Sequence, residues 1–258
     1  MRKPSSALIG TGVKITLLIV VFIGLLALAV RLWGIEFGFP HVHCGIDEDH
    51  ATSLAMRYGR GSLKPDSLWW PTLHSYLLFV LYAAYYALGR LFGEFGSLFD
   101  FQKLYFTDPQ SFYLIGRVFS AVSGALSAVL LFFMAKRVYS RRVGFLAALF
   151  LALNFMHIRE SQYSRPDILG GVFMVLAFMA MLSLKNKKDH LLAGIYTGLA
   201  ASAKYQFILL IFPALVAHFI PEPSEEKKSW GSRLLHPGPP IMLLAVFIAF
   251  FATSPYIV

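Results

Sequence analysis

Cysteine and charged residues are scarce in this chain of 258 residues. The single cysteine, Cys44, excludes an internal disulfide and any metal site built from several thiolates. Only 14% of the residues are charged and 57% are apolar, whereas a soluble domain usually has about 25% charged and about 45–50% apolar residues. The composition therefore excludes an ordinary soluble domain and indicates an integral membrane protein.

A concentrated basic surface is also missing, although the net charge is +9. The lysines and arginines stand in short clusters between apolar runs, as in the cytoplasmic loops of membrane proteins. A nucleic-acid groove would need a continuous basic face. We therefore expect no nucleic-acid partner. No internal repeat is visible either, and this absence argues against most secondary transporters.

Seven apolar segments are predicted to cross the bilayer, whose core needs about 20 mostly apolar residues per helix. The first, residues 15–33, could instead be a cleaved signal peptide, because Ala27-Leu28-Ala29 has the small-x-small form. We favour an uncleaved anchor, since the apolar run continues past Ala29. The other six spans are residues 113–136, 142–157, 167–184, 191–203, 205–220 and 241–257.

The run of residues 68–89 is also uncharged and long enough to span, but its many tyrosines and tryptophans are typical of the membrane interface. If it spans, the clusters Lys136-Arg137 and Lys187-Lys188 lie outside. If it lies in the interface, both clusters lie inside with the N-terminus. The positive-inside bias favours the interfacial interpretation.

The fold class predicted is therefore all-α and polytopic, in a single transmembrane module of residues 1–258. The first span lies in residues 1–34, a long external loop covers residues 35–112, and spans two to seven lie in residues 113–258. Interfacial helices are predicted at about 47–60 and 68–90. The short loops and the near absence of cysteine favour a bacterial or archaeal plasma membrane, with the N-terminus cytoplasmic and the acidic loop external.

Three adjacent acidic residues, Asp47, Glu48 and Asp49, begin the first of these interfacial helices. They could simply cap the helix and complement its dipole. Capping explains one carboxylate well and three less well, so we also consider a chemical role. The neighbouring His43, Cys44 and His50 show no regular spacing of metal ligands, although carboxylates could hold a divalent cation. The metal is unknown, and no cofactor is certain.

Further charged residues stand at the ends of apolar runs on the same predicted face. Asp167 follows Pro166 in the first turn of a span, where capping is again the simplest explanation. Lys204 interrupts two apolar runs and is either a snorkelling lysine or an anion contact. Arg165 and Arg117 would also suit a phosphate-bearing ligand.

These features resemble the GT-C membrane glycosyltransferases, in particular the protein mannosyltransferase and aminoarabinose transferase branch. The resemblance rests on the acidic pair in a long first external loop and on several later segments. Those segments are Arg117, Lys136–Arg142, Gly144-x-x-Ala147-Ala148, Tyr163-Ser164-Arg165-Pro166-Asp167 and Gly194-x-x-x-Gly198-Leu199-Ala200-x-x-x-Lys204. It covers nearly the whole chain and matches the family's conserved module of seven spans and two juxtamembrane helices.

The resemblance implies an inverting enzyme that moves a sugar from a polyprenyl-phosphate donor to an acceptor hydroxyl or amine at the external face. The acceptor would be a protein, a lipid or a glycan. The resemblance makes Asp47 the general base, while Glu48 would support it or bind the acceptor or a metal. The substrate-binding residues would be Asp167, Arg165, Lys204, Arg117 and His74, the last standing near the position of a lysine in some relatives.

Two other functions stay open at this point. Family members normally continue with more spans, so a truncated, split or degenerate member is an alternative. Such a chain would be a non-catalytic membrane subunit that binds a polyprenyl lipid or scaffolds a complex. A transporter is less favoured, since no ionisable residues form a relay across a span.

Overall fold

The computed structural model describes residues 6–45, 47–184, 186–220 and 230–257. These residues form α-helices without any strand among them, which confirms the predicted all-α class. In chain order the helices are α1 (Ser6–Leu32), α2 (Glu48–Tyr58), α3 (Leu73–Phe92), α4 (Leu98–Thr107), α5 (Gln110–Val138), α6 (Arg141–Leu153), α7 (Phe155–Ser161), α8 (Pro166–Met181), α9 (Lys187–Ala203), α10 (Ile211–Phe219), α11 (Trp230–Leu234) and α12 (Gly238–Thr253). A short 3₁₀ helix, Tyr205–Leu210, leads directly into α10.

Several helices are long and apolar enough to cross a membrane. Four pass by length and composition, namely Gly12–Leu32, Leu73–Phe92, Gln110–Val138 and Gly231–Thr253. Helices α6 and α7 together form a fifth candidate that is bent by 60°, and Pro166–Met181 and Tyr205–Phe219 are shorter apolar helices. A helix occupies each of the seven predicted spans, while the number of crossings itself stays a prediction.

Local sequence explains where many of these helices begin. Side-chain oxygens of Ser97, Ser140 and Asn154 accept backbone N–H groups at the starts of α4, α6 and α7, which satisfies donors that have no partner inside the helix. The Asn154 cap also starts α7 in a new direction, which accounts for the bend. Pro166 stands at the first position of α8, where its missing N–H costs nothing.

The two ends of the helix bundle have different chemistry. At one end, which we call the loop end, the loop of residues 34–112 meets the starts of α5 and α8 and the ends of α9 and α12. At the other, the basic end, Lys136 of α5 approaches Thr16 of α1 and Arg137 donates to the carbonyl of Met179. Successive long helices therefore run in alternate directions between the two ends.

Helix α3 packs along the first turns of α5. The His74 ring lies 5.9 Å from that of Phe119, and Tyr82 Oη donates to the Phe112 carbonyl over 3.1 Å. The second half of α3 continues beyond the start of α5. It packs on the aromatic side chains of α4 and of the turn before α4. The interfacial position predicted for α3 stays a prediction, but its contacts belong to the loop end.

Two differences from the predicted elements have plain causes. Helix α3 begins at Leu73 instead of residue 68, because Pro71 disfavours the helical conformation at the residue before it. Helix α4 lies within the predicted external loop, in a part for which the sequence predicts no helix. Its aromatic face covers α3 and the start of α5, and Phe101 is its buried centre.

Helices α9 and α12 approach closely through glycines. A Cβ at Gly198 would lie 2.5 Å from the Val246 carbonyl oxygen and 2.8 Å from Ala249 Cβ. Gly194, one turn earlier, would overlap the Met242 carbonyl in the same way. Small residues at this spacing let two membrane helices pack backbone against backbone, so the Gly194–Gly198 pattern of the sequence is a packing surface.

Candidate functional site

A fully buried ion pair joins the loop to the helix bundle. Arg117, on the second turn of α5, donates from Nη2 to Glu48 Oε2 over 2.7 Å and from Nε to Glu48 Oε1 over 3.0 Å. Both side chains are 0% exposed. The Arg117 Nη1 group donates to the carbonyls of Ile35 and Phe37, each over 2.9 Å. The pair thus fixes the chain that leaves α1 and the start of α2 against α5.

The same carboxylate also holds the segment before α8. Glu48 Oε1 accepts the backbone N–H of Ser164 over 2.7 Å. Any side chain at Gly45 would overlap the Glu48 carboxylate, and one at Gly116 would overlap the Ser164 side chain. Two loops far apart in sequence are therefore held together at the loop end, and Asp47 and Arg165 each stand one residue from this contact.

Asp47 points the opposite way from Glu48. It has a left-handed backbone with φ of 64°, the single positive φ at a non-glycine position among the described residues. Aspartate is one of the residues that tolerate this conformation, which lets successive side chains diverge. The Asp47 side chain is exposed and makes no capping hydrogen bond. Capping, the simplest explanation from sequence, therefore does not apply to it.

Asp49 and His50 have neighbours of their own. Asp49 accepts a hydrogen bond from Tyr113 Oη on one oxygen, and its other oxygen lies 2.7 Å from His43 Nδ1. His50 packs between the rings of Trp69 and Trp70, with centroids 5.5 and 5.0 Å away. Burial lowers the pKa of His50, while the negative charge of Asp47 acts in the opposite direction.

Two charge pairs lie near the start of α8. Lys204 Nζ donates to Asp167 Oδ1, and Arg165 pairs with Glu160. The side chains of Lys204 and Asp167 are 24% and 28% exposed, so both can still be reached from outside the chain. The first pair connects the end of α9 with the first turn of α8, and both pairs adjoin the Ser164 contact.

Several buried polar atoms in this region have no hydrogen-bond partner. They are His74 Nε2, Ser164 Oγ, Arg165 Nε and Asp167 Oδ2. Buried polar groups are nearly always paired, since an unpaired one costs about 1–3 kcal/mol. A concentration of them where α3 and α8 begin is therefore characteristic of a site that receives a polar ligand or water.

A cluster of hydroxyl groups fixes the end of α9. Ser254 Oγ lies 2.7 Å from Ser202 Oγ and accepts the N–H of Thr72 over 3.1 Å. Thr253 Oγ1 donates to Ser202 Oγ over 2.7 Å. Since Ser202 stands two residues before Lys204, this cluster holds the position of the lysine relative to α3 and α12.

An apolar groove begins beside Lys204. Tyr205 is part of its wall, and the remaining lining comes from the 3₁₀ helix, α10 and α12: Ile208, Ile211, Leu243, Val246, Phe247, Phe250 and Phe251. Its volume is about 400 Å³. A second cavity of about 410 Å³ lies beside the C-terminal half of α2 and includes Arg57, Arg60 and Tyr105. The first is lined almost entirely by apolar side chains, and Tyr205 of its wall follows Lys204 in the chain.

Comparison with known proteins places the chain in a family. The sequence model described as dolichyl-phosphate-mannose-protein mannosyltransferase matches residues 113–258, which is more than half of the chain. The chain is a member of that mannosyltransferase family. No curated protein sequence matches it.

A solved structure shares the fold of this family member. It is that of the S. cerevisiae protein O-mannosyltransferase Pmt1-Pmt2 complex bound to the sugar donor, with 22% sequence identity and a TM-score of 0.65. The match covers 92% of this chain and 33% of that chain, so the chain spans about a third of the relative's length. The predicted polytopic GT-C fold and the suspected family are thereby confirmed.

The structure separates the site residues expected of this mannosyltransferase family member into two groups. The first group lies at the loop end. Asp47 is exposed there, and near the start of α8 lie Arg165, Asp167, Lys204 and His74. Glu48 and Arg117 have no exposed side-chain surface. They are paired with each other, and the substrate-contacting roles expected of them stay predictions.

Some residues of the site escaped the sequence analysis. Glu160, the partner of Arg165, is one of them. Arg31, fully buried at the end of α1, donates to the carbonyls of Ala27 and Ala152 and to Ser161 Oγ. Its position near the end of an apolar span was the available signal. A metal site near Asp47 finds no support, since the described residues there hold no group of three potential ligands.

Proposed function

We propose that this chain is the catalytic core of a glycosyltransferase that takes a sugar, mannose in the first instance, from a polyprenyl-phosphate donor. The acceptor hydroxyl would approach from the external face, at the loop end of the bundle. The observation that carries the proposal is the position of Asp47, an exposed carboxylate held one residue from the Glu48–Ser164 contact. The partly exposed cations Arg165 and Lys204 lie on the Ser164 side of that contact.

Asp47 would serve as the general base. Its carboxylate takes the proton of the acceptor hydroxyl as the hydroxyl oxygen bonds to the anomeric carbon. The bond from that carbon to the phosphate oxygen breaks in the same step, which inverts the configuration, and the phosphate leaves on the lipid. A positioned base typically contributes about 10²–10⁴-fold to such a rate. The absence of a capping bond leaves the oxygens of Asp47 available.

Lys204 and Arg165 would stabilise the departing phosphate. Lysine offers three donors and Arg165 Nε is a buried donor with no partner. Both cations are paired with carboxylates, Asp167 and Glu160, which keeps them in place between turnovers. His74 Nε2, also unpaired, lies within the electrostatic reach of Asp167. Cationic donors placed where charge develops lower the barrier to transfer.

The apolar groove between the Tyr205–Phe219 segment and α12 would hold the first isoprenoid units of the donor. Its wall is almost entirely aliphatic and aromatic, and Tyr205 of that wall is the residue after Lys204. A polyprenyl phosphate has the same order of groups, an anionic head followed by a long hydrocarbon chain. The groove therefore favours a lipid-linked donor over a soluble nucleotide sugar.

Glu48 and Arg117 would position the site without touching substrate. Their pair holds the loop that carries Asp47 against α5 and, through Ser164, against the segment that carries Arg165. Loss of either partner would thus displace the base relative to the cations. This role replaces those that the sequence analysis expected for the two residues.

A second candidate function is a membrane subunit that binds the polyprenyl lipid without transferring a sugar. The partly exposed Lys204 and the apolar groove are the observations that favour it, because they would suffice to bind such a lipid. Both functions require Lys204 and the groove, but only the enzyme requires a base. Binding of the donor alone would therefore leave the two functions unresolved, and transfer must be measured.

The experiment measures release of polyprenyl phosphate by the purified full chain from polyprenyl-phosphate mannose, glucose and aminoarabinose, with peptide and lipid acceptors present. We expect release from one donor class, and unchanged release in Asp66→Asn, a variant of an exposed carboxylate on the same loop. Donor binding without release from any donor would contradict the enzyme and support the binding subunit.

A further inference from the structure

Three histidines meet at the basic end, far from the proposed site. His190 lies in the first turn of α9, His218 near the end of α10, and His236 just before α12. One ring nitrogen from each lies within 4.8 Å of the other two. The ring centroids are 5.0 Å apart for His190 and His218 and 5.4 Å apart for each of these with His236.

The outer hydrogen bonds fix the tautomers of the first two rings. His190 Nδ1 lies 2.9 Å from the Asn186 carbonyl oxygen, and His218 Nε2 lies 3.0 Å from the Arg233 carbonyl oxygen. A carbonyl oxygen only accepts, so the proton of each neutral ring is on that outer nitrogen. The inner nitrogens, His190 Nε2 and His218 Nδ1, therefore both carry lone pairs.

These two lone pairs face each other across 2.9 Å. Two neutral acceptors cannot form a hydrogen bond at this distance, so either a proton donor or a metal ion must satisfy them. Tetrahedral zinc with bonds of about 2.0–2.1 Å separates two nitrogen ligands by about 3.3 Å. The observed separation needs only a small adjustment to reach that value. Histidine ligands of metals also usually donate their outer N–H to a backbone carbonyl, as both rings do here.

We propose that His190, His218 and His236 bind one divalent transition-metal ion of the zinc type, with water as the fourth ligand. Three imidazoles suit zinc, while magnesium and calcium prefer oxygen ligands. Gly238 leaves room beside the inner nitrogen of His190, because any side chain at this position would overlap the His190 ring. Its N–H lies 3.0 Å from His236 Nδ1 and donates to it when the proton of that ring is on Nε2.

The ion would clamp one end of α9, α10 and α12. The opposite ends of α9 and α12 carry Ser202, Lys204 and Thr253, which build the loop-end site. The metal would therefore stabilise the half of the bundle that holds Lys204, without taking part in transfer.

A metal-free arrangement is the rival. His236 accepts at Nδ1, so the proton of its neutral ring is on Nε2. Without a metal that proton could be shared with the inner nitrogens of the other two rings. Zinc bound at Nε2 would require this proton to move to Nδ1, and the hydrogen bond from the Gly238 N–H would then be lost. The two arrangements differ in metal content, which can be measured directly.

The test uses the full chain purified in detergent with an affinity tag that contains no histidine. Elemental analysis after dialysis against zinc should give one zinc per chain, and none in His218→Asn. The control His41→Asn, at an exposed histidine outside the cluster, should keep its zinc. Cobalt in place of zinc should give the visible absorption of a tetrahedral site.

A second measurement guards against a variant that loses zinc by misfolding. Zinc should raise the Tm of the wild type on the order of 5 °C at 100 times its Kd, and a chelator should reverse the shift. Gly238→Ala, which keeps all three histidines but fills the space, should abolish it. A wild-type chain that takes up no zinc or cobalt and shows no shift would overturn the proposal in favour of the shared proton.

Discussion

Replacing Glu48 by glutamine removes one charge from the buried pair while it keeps the shape of the side chain. The carboxylate accepts hydrogen bonds from Arg117 Nε, Arg117 Nη2 and Ser164 N. In the variant one of its two oxygens becomes an NH₂ group that faces another donor. Arg117 then stays charged at 0% exposure with only the Ile35 and Phe37 carbonyls as full partners.

The expected loss of stability follows from this geometry. Breaking a buried ion pair by removing one partner costs about 3–5 kcal/mol, because the other charge is left uncompensated. The two carbonyl contacts of Arg117 persist, so we expect the lower part of that range. For a chain of this size about 1 kcal/mol corresponds to about 2–4 °C. Glu48→Gln should therefore lower the Tm by roughly 6–12 °C.

The assay is thermal unfolding in detergent, followed by tryptophan fluorescence. Asp47→Asn is the matched control, because asparagine also tolerates the left-handed backbone and the side chain is exposed. It should stay within about 0.5 kcal/mol of the wild type. The double variant Glu48→Leu, Arg117→Leu leaves no buried charge. Its loss of stability should therefore be smaller than the sum of the losses in the single variants Glu48→Leu and Arg117→Leu. Equal Tm values for Glu48→Gln and Asp47→Asn would refute the positioning role.

Three further perturbations test other parts of the structure. Lys204→Gln should weaken binding of a polyprenyl-phosphate sugar about 10- to 100-fold, since a charge-assisted hydrogen bond is worth about 1.5–3 kcal/mol. The control Lys64→Gln, at an exposed lysine, should leave the Kd unchanged. Burial lowers the pKa of His50 from its ordinary 6.5. Below pH 6.5 the unfolded chain therefore binds more protons, and the free energy of unfolding should fall as the pH falls. His50→Gln should flatten this dependence of the free energy of unfolding on pH, and an unchanged slope in the variant would contradict the prediction. Gly198→Val should lower the Tm by forcing α9 from α12, while Gly171→Val, where a Cβ meets nothing within 4 Å, should be tolerated.

Much of the architecture could be predicted from the sequence because bilayer length and helix caps are local signals. The apolar runs mark the seven segments in which helices occur, and Pro166 marks the start of α8. The aromatic helix α4 was missed, since its residues follow no strict apolar period and their partners lie in α3 and α5. Whether such a segment forms a helix depends on its packing against elements that are distant in the sequence.

The site was predictable only in part, for the same reason. Asp47 and Glu48 are adjacent carboxylates that look alike in the sequence. The left-handed backbone at Asp47 turns one outward, and Arg117, 69 residues after Glu48, draws the other inward. The histidine cluster likewise joins residues that lie 28 and 18 positions apart along the chain, His190, His218 and His236, at no regular ligand spacing. Neither arrangement can be inferred without the fold.

The most direct test of the proposed chemistry compares the wild type with Asp47→Asn at saturating polyprenyl-phosphate mannose. Donor affinity and the rate of polyprenyl phosphate release are measured on the same preparations. If Asp47 is the base, the release rate should fall by about 10²–10⁴-fold while the Kd for the donor stays the same. A variant that releases polyprenyl phosphate as fast as the wild type would contradict the assignment of Asp47 and with it the proposed site.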